Sequence, residues 1–444
     1  MNLESLENWK FMNQNTKTYF SRAISWRSAL SVPALGSALL VTAMSGLSAS
    51  VTAQVMTLDE AIETVSNNHP MLKQFESKAQ ALDVYADGAK SWMAPMVGVG
   101  TFMTPYPGQN AEEMNKGAIM FSLEQQIPNA GRQKASSDYM RSQSAIVRSA
   151  GQRQLNTLRA EARTWYYQWL VAEKKRATLG ANVKTLDLMR ELAEVRYPYN
   201  QGSLSDIYKL NAKIAEAQNR LTANEGNIGE SRARLIALMN LPSNTPLMVD
   251  TTLSVPVYTA SIDITALYQR RSDLRELDQR ITSMQLNRAA QLAQARPDFK
   301  IRFDHMQPLG DNMPKQFTAM AMISIPLAPW SSRMYKAESR GMLYDIQAMQ
   351  QEREAVVVEA SGRINGMSKQ LQSMDHHLMG YRQSIIPALE KNFRAALLAY
   401  EENRGQLATV LEGWEALNMM QLEYFEELEA FYNMIAEYEK ELEL

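Results

Sequence analysis

The sequence predicts a mainly α-helical chain with a smaller β contribution, built as two tandem copies of one unit: a strand pair followed by a very long helix pair. Three observations carry this. A helix-hairpin tip, Arg196-Tyr197-Pro198-Tyr199-Asn200-Gln201-Gly202-Ser203-Leu204-Ser205-Asp206-Ile207, recurs about two hundred residues later as Ala399-Tyr400-Glu401-Glu402-Asn403-Arg404-Gly405-Gln406-Leu407-Ala408-Thr409-Val410. Tyr, Asn, Gly and Leu match in register. Long stretches of helical period flank each tip, and a pair of strand-like runs lies upstream of each. Internal repeats of this kind govern the whole fold, and a chain that repeats a long scaffold points to a duct or a rod rather than to catalysis.

The N-terminus reads as an export signal. Lys10, Lys17, Arg22 and Arg27 precede the small and apolar run from Val32 to Val51, and Val51-Thr52-Ala53 offers a cleavage site before Gln54. That is the signal-peptide pattern, and it assigns residues 1–53, with Met12 as an alternative start. An uncleaved anchor is the competing reading. The mature chain then divides into a first repeat, 54–250, and a second, 251–444. No later stretch approaches the ~20 apolar residues of a spanning helix, so any membrane crossing has to be a closed β-barrel.

Leu58 to Asn68 has a short amphipathic period, with Thr57 or Asp59 near its N-cap and His69-Pro70 at its end; Met71 to Trp92 is a second helical stretch. From Met96 to Met103 the period changes to two, and a second strand runs from Ala118 to Ile127. Arg132 to Tyr197 has no internal proline and a helical apolar period, which at 1.5 Å per residue makes a rod about 100 Å long. Leu204 to Leu241 returns as a second long helix. Pro242 to Pro256 reads as a linker between the repeats.

In the second copy Thr265 to Arg296 is helical. Phe299, Ile301 and Phe303 alternate with Asp298, Lys300, Arg302 and Asp304; Phe317, Ala319, Ala321, Ile323 and Ile325 alternate with Thr318, Met320, Met322 and Ser324. Such alternation over about 9–11 residues suits a tilted barrel strand with lipid on one side and water on the other. A soluble hairpin is the alternative. Four strands cannot close a barrel, so their edges must pair with other copies or be covered. Arg333 to Leu444 is again helical, interrupted at Pro387 and the tip. Its last stretch, Leu422 to Leu444, is rich in Glu and reads as a solvated helix face.

Composition narrows the function. Net charge is −2, which gives no case for nucleic acid, and cysteine is absent, which removes thiolate chemistry and Cys-ligated metal. There is no phosphate-binding loop, dinucleotide fingerprint, zinc-protease or nucleophile-elbow motif. His376 and His377 are adjacent on a helix beside Asp375 and point apart. No enzyme and no cofactor is expected. Methionine is frequent, 28 of 444 residues, and gathers around both strand pairs. It serves either as adaptable apolar filler or as a soft ligand for ions such as Cu(I) and Ag(I).

The order and spacing of several segments resemble the TolC family of outer-membrane efflux ducts along nearly the whole mature chain. They are Leu58-Asp59-Glu60-Ala61-Ile62 with Asn67-Asn68-His69-Pro70, Ser122 to Arg132, the tip ending in Ser205-Asp206-Ile207, Ala237 to Pro242, and Leu267 to Arg275. The resemblance implies a homotrimer whose four strands per chain form a twelve-stranded β-barrel in the outer membrane, joined to a periplasmic α-helical barrel. Its implied partners are a periplasmic adaptor (membrane fusion) protein, an inner-membrane RND-type or ABC pump, and outer-membrane lipid. Two departures stand out. Asn200 and Asn403 replace the family's glycine before each tip, with Gly202 and Gly405 two places on. Thr409 stands where the first copy has Asp206. Phe102-Met103-Thr104-Pro105 and the methionine load resemble the family's heavy-metal branch.

The expected function is a passive export duct, for heavy-metal ions such as Cu(I) or Ag(I), with drug efflux or type I protein secretion as alternative cargoes. A periplasmic helical scaffold without a pore is the competing class. Expected gate residues are Asp206, Tyr197, Tyr400 and Arg404. Expected adaptor-docking residues are Asn200, Gly202, Ser203, Leu204, Asn403, Gly405, Gln406 and Leu407. For Asp206 a helix cap competes with a constriction ring; for the two glycines a purely conformational role competes with docking.

Overall fold

The computed structural model describes residues 54–109, 112–252, 268–269, 271–311 and 313–444. The signal-peptide segment and the start of the helix expected from Thr265 lie outside the described residues. In chain order the elements of the first repeat are β1 (Gln54–Met56), α1 (Leu58–Asn68), α2 (Pro70–Gly88), β2 (Met96–Phe102), β3 (Ala118–Ile127), α3 (Ala130–Arg196) and α4 (Leu204–Leu238). Then follow β4 (Leu247–Val249), α5 (Ser272–Leu292), β5 (Phe299–Pro308), β6 (Gln316–Ile323), α6 (Pro329–Gly380), α7 (Ile386–Glu401) and α8 (Leu407–Leu442). Strand pair, long helix, tip and returning helix occur twice, as the sequence predicts. No helix among the described residues is long and apolar enough to cross a membrane.

Local chemistry accounts for the helix boundaries. Thr57 caps α1 through a capping box with Glu60, which satisfies two of the orphan amides at a helix start. His69 ends α1 and, through Nδ1, accepts from the Met71 amide to start α2. α3 runs for 67 residues without proline, close to the expected 100 Å rod. Pro387 does not break the second long helix outright. α6 continues through a π-helical turn, Tyr381–Ile385, into α7, whose first turn contains the proline. Widening the turn accommodates a ring that would otherwise meet the carbonyl four residues back.

Four strands form one antiparallel sheet in the order β2-β3-β5-β6, with β3 pairing β5 over ten residues from Ala118–Pro308 to Ile127–Phe299. The two repeats are therefore joined at the centre of the sheet. β5 extends to Pro308, beyond the alternating run that ends at Asp304, because β3 offers partners as far as Ala118. In the region read as a linker, β4 pairs in parallel with β1. A strand of three residues paired to one nearly two hundred positions away leaves no local signature.

Beneath the sheet the long helices bury two apolar clusters. One gathers Tyr166, Tyr167, Leu170, Leu235, Phe431, Tyr432 and Ile435 around the middle of the molecule; the other gathers Leu186, Met189, Leu210, Phe393, Val410 and Trp414 toward the tips. The end of α8 corrects one expectation. Leu422 to Leu444 is not a solvated face: Phe425, Leu428, Phe431, Tyr432 and Ile435 are buried, and so are Glu439 and Glu441. Arg163 of α3 meets Glu439 at 2.6 Å, while Arg271 and Arg363 meet Glu441 at 3.0 and 2.7 Å. These buried carboxylates persist because arginines from three distant segments satisfy them.

Candidate functional site

Two surfaces carry the candidate function, the sheet and the hairpin tips. In the sheet the register places all even-numbered strand positions on one face and all odd-numbered positions on the other. The odd face holds Val97, Val99, Phe121, Leu123, Phe299, Ile301, Phe303, Phe317 and Ile323, all exposed, with Phe303 and Phe317 stacked at 5.7 Å. The even face holds Ser122, Glu124, Lys300, Arg302 and Asp304. Lys300 pairs with Glu124, and Arg302 pairs with Asp304 at 2.9 Å. On the two central strands the polar residues of this face are half-buried or buried, while most large apolar residues of the other face are exposed. This inverts the arrangement of a soluble sheet, where the apolar face is the covered one. Trp92 and Trp330 lie exposed at the helix end of the sheet, and Tyr106 lies exposed in the loop at the opposite end. β2 and β6 are both edge strands.

At the junction with the helices, the Asn129 amide donates to Asp298 Oδ1 at 3.1 Å, and Arg132 pairs with Asp298 at 2.7 Å. A side chain at Gly131 would collide with the Arg296 guanidinium. The Asn-Ala-Gly-Arg run thus ties the start of α3 to the start of β5.

The two tips share one backbone design. Asn200 and Asn403 adopt left-handed conformations, φ 58° and 63°. Asn200 N–H donates to the Tyr197 carbonyl and Gln201 N–H to that of Arg196; Asn403 N–H donates to Tyr400 and Arg404 N–H to Ala399. Both are Schellman ends, which place a residue of positive φ just past the helix. Asn tolerates that conformation better than most side chains do, so it can stand where glycine is expected. Gly202 and Gly405 are not the positions that turn the chain. Gly405 answers instead to close approach, since a Cβ there would lie 3.1 Å from the Tyr400 amide nitrogen, whereas at Gly202 the nearest atoms are 3.9 Å away.

Burial separates the tips. Tyr197 is 44% exposed and Tyr400 4%; Leu204 is 43% exposed and Leu407 5%. Leu407 belongs to the packing of the second tip, which removes it from the surface offered for docking. Asn200, Ser203 and Leu204, with Asn403 and Gln406, remain exposed. Asp206 forms a capping box with Ser203: its amide donates to Ser203 Oγ at 3.2 Å, and its Oδ2 accepts from the Ser203 amide at 3.3 Å.

Of the four expected gate residues the structure brings two into electrostatic reach. The Tyr400 hydroxyl is pushed above its ordinary pKa by burial, with the Arg196 guanidinium opposing that and the Asp206 carboxylate adding to it. Arg404 is exposed and pairs with Glu402 at 3.3 Å. The cation that reaches Tyr400 is Arg196, 4.2 Å from the ring centroid; the second copy has Ala399 at that position, so the internal repeat carries no signal for it. Behind the tips, Lys213 of α4 bridges Glu216 and Glu415 of α8 at 3.1 and 3.0 Å. Both carboxylates hold its ammonium above the usual lysine range, Glu415 foremost. His376 and His377 are exposed, and among the described residues no group of three His, Asp or Glu could hold a metal ion.

No family model matches the chain, and no curated protein matches it by sequence. Solved structures do match its fold. The outer-membrane channel OprN superposes with a TM-score of 0.72 at 14% identity, over 87% of this chain and 89% of that one. The outer membrane protein VceC from Vibrio cholerae gives 0.66 at 16% identity, over 87% and 95%. CusC, whose structures concern folding and transmembrane channel formation, gives 0.69 at 15% identity, over 86% and 91%. At such identities the likeness establishes the architecture: long paired helices below a four-stranded sheet, in two repeats.

Proposed function

We propose that this protein is an outer-membrane duct of a TolC-like tripartite efflux system. The observation that carries the reading is the inverted sheet: exposed apolar side chains on one face, ion-paired polar ones on the other, and an open edge at each end. An apolar exposed band flanked by aromatic residues is suited to lipid. Open edges cannot be left unsatisfied in a bilayer, so three copies complete a twelve-stranded barrel and the helix hairpins continue it into the periplasm as a helical tunnel. The fold shared with outer-membrane channels supports the same reading.

In this reading the protein performs no chemistry. An inner-membrane pump of RND or ABC type delivers cargo through a periplasmic adaptor, and the exposed tip residues Asn200, Gly202, Ser203, Leu204, Asn403 and Gln406, with the half-buried Gly405 between them, form the adaptor's docking edge. Asp206, Tyr197, Tyr400 and Arg404 surround the periplasmic mouth, with Arg196 as the added link. Capping and gating are compatible for Asp206, because the cap engages it through Oδ2 and three copies would still bring a carboxylate ring to the axis. The cargo is soft heavy-metal ions such as Cu(I) or Ag(I), with drugs or secreted proteins as the alternatives to be tested by transport.

The test is reconstitution. Full-length protein extracted from membranes should run as a trimer by mass and give discrete conductance steps in planar bilayers. A stable monomer that washes from membranes and never conducts would replace the duct with a pore-free helical scaffold.

A further inference from the structure

Every methionine in the four-stranded sheet lies on its polar face. Met96, Met120, Met306, Met320 and Met322 all occupy even-numbered positions, in register with Glu124, Arg302 and Lys300. The other, mainly apolar face, where a flexible filler would be at home, carries Val, Ile, Leu, Phe and Ala with Thr101, Gln125, His305 and Gln307, but no methionine. Filling apolar space therefore does not explain where these thioethers sit. Phe102 is the only aromatic residue on their face.

One pair stands out by geometry. Met120 and Met306 are direct cross-strand partners on the two central strands, and side chains so placed start from Cβ atoms about 4.5–5.5 Å apart. Both are half-buried, whereas Met96, Met320 and Met322 are exposed. The same row continues through Gly100 on β2 and Gln316 on β6. Gly100 leaves open space beside Met120, and Gln316, the cross-strand partner of Met306, is the one carboxamide residue in that row. Asp304 lies two residues from Met306 on the same face. The lysine and arginine in the rows nearer the helices are matched by Glu124 and Asp304, so no net positive field repels a cation.

We infer that Met120 and Met306 form a soft-cation site on the inner wall of the barrel, binding Cu(I) or Ag(I) between their two thioether sulfurs. Thioethers select such ions over hard ones. Met322, then Met96 and Met320, precede the pair on the path from the helix end of the sheet and give weaker single-sulfur contacts. A two-sulfur site is weak enough to release its ion, as passage through a pore demands. The role of the site rests on the duct reading above; its chemistry does not.

Silver is the probe. Full-length protein in nanodiscs is dialysed to equilibrium against silver nitrate in chloride-free buffer, and bound silver per chain is counted for the parent, Met120→Leu/Met306→Leu, and a helix control, Met342→Leu. Leucine conserves volume at these positions, and each single variant serves if the double variant does not assemble. The double variant should lose one silver per chain relative to the parent and the control, and retain the parent's bilayer conductance. Unchanged stoichiometry and affinity in the double variant would overturn the site while leaving the duct intact. Loss of binding of a hydrophobic cationic dye without loss of silver would overturn it in favour of an amphiphile surface. A parent that binds silver at the pair but never conducts would sink the duct reading and keep the site.

Discussion

The guanidinium of Arg196 lies over the ring of Tyr400, 4.2 Å from its centroid, and donates a hydrogen bond to the Glu401 carbonyl at 2.9 Å. One side chain thus fastens the end of the first long helix to the end of the second, at the level of both tips. Tyr400 is buried beneath it, and the charge of Asp206 also reaches the phenol.

If these tips close the periplasmic mouth, Arg196→Ala should open it. A partly desolvated cation–π contact contributes about 1–2 kcal/mol, enough to move a closed–open equilibrium about tenfold. Single-channel recording should show a higher open probability in Arg196→Ala. Arg196→Lys should restore it only in part, since an ammonium lacks the planar stacking surface. Arg404→Ala should have the smaller effect, since Arg404 is exposed and pairs with Glu402 rather than with the opposite hairpin. Equal open probability in all four would remove Arg196 from the gate.

For Asp206, replacement by Ala keeps the Ser203 N-cap but removes the carboxylate that accepts from the Ser203 amide, which should cost about 0.3–1 kcal/mol of helix stability. If the carboxylates also ring the axis, the same variant loses cation selectivity and block by divalent ions in planar bilayers. Selectivity that survives in a variant with the expected drop in thermal stability would leave Asp206 with the cap alone.

The tips predict an order of tolerance. Gly405→Ala should lower the melting temperature, because the new Cβ meets backbone at 3.1 Å, whereas Gly202→Ala should leave it within error. Asn200→Ala and Asn403→Ala should each cost about 1 kcal/mol by forcing alanine to positive φ, and Asn403→Gly should be neutral. Thermal unfolding of the five variants checks the order. A Gly202→Ala loss as large as that of Gly405→Ala would contradict the close approach described here.

Alkaline pH should loosen the middle of the molecule. Tyr166 is buried and donates to the Met56 carbonyl at 3.0 Å. Burial pushes its hydroxyl up to about 12 from 10.0. The unfolded chain releases this proton first, so the stability contribution is complete below pH ~10 and falls as pH rises toward 12. Tyr166→Phe should flatten that part of the stability–pH curve. An identical alkaline decline in the variant would assign the loss to other groups.

Removing a partner from the buried ion network should be severe. Glu441 meets Arg271 and Arg363, and Glu441→Ala leaves Arg271 buried without that carboxylate. Breaking such a pair costs about 3–5 kcal/mol, which calorimetry should read as a clear fall in melting temperature. A change within error would mean that Asp273, 2.7 Å from Arg271, suffices.

Much of the architecture is legible in the chain because it rests on short-range signals. The period-two alternation of Phe299, Ile301 and Phe303 becomes β5, and the proline-free run after Asn129 becomes α3. The repeated Tyr-x-x-Asn-x-Gly becomes a Schellman end twice over. Less legible was the tip chemistry. Arg196 has no counterpart in the second copy, so comparing the repeats hid it, and only proximity to Tyr400 reveals it. The Glu-rich end of α8 looked solvated because charge counting within one helix cannot see Arg163, Arg271 and Arg363 arriving from elsewhere.

By itself the sequence determined which of the longer segments are strand or helix, where each hairpin turns, and that one sheet face is mainly apolar. Backbone periodicity and capping act over a few residues and need no distant partner. Tertiary structure decided the rest. It joined the repeats through β3 and β5, buried Tyr400 and Leu407 while leaving Tyr197 and Leu204 in solvent, and set Met120 opposite Met306. Matched sequences met unmatched neighbours, and burial, charge pairing and strand register belong to the neighbours as much as to the residue.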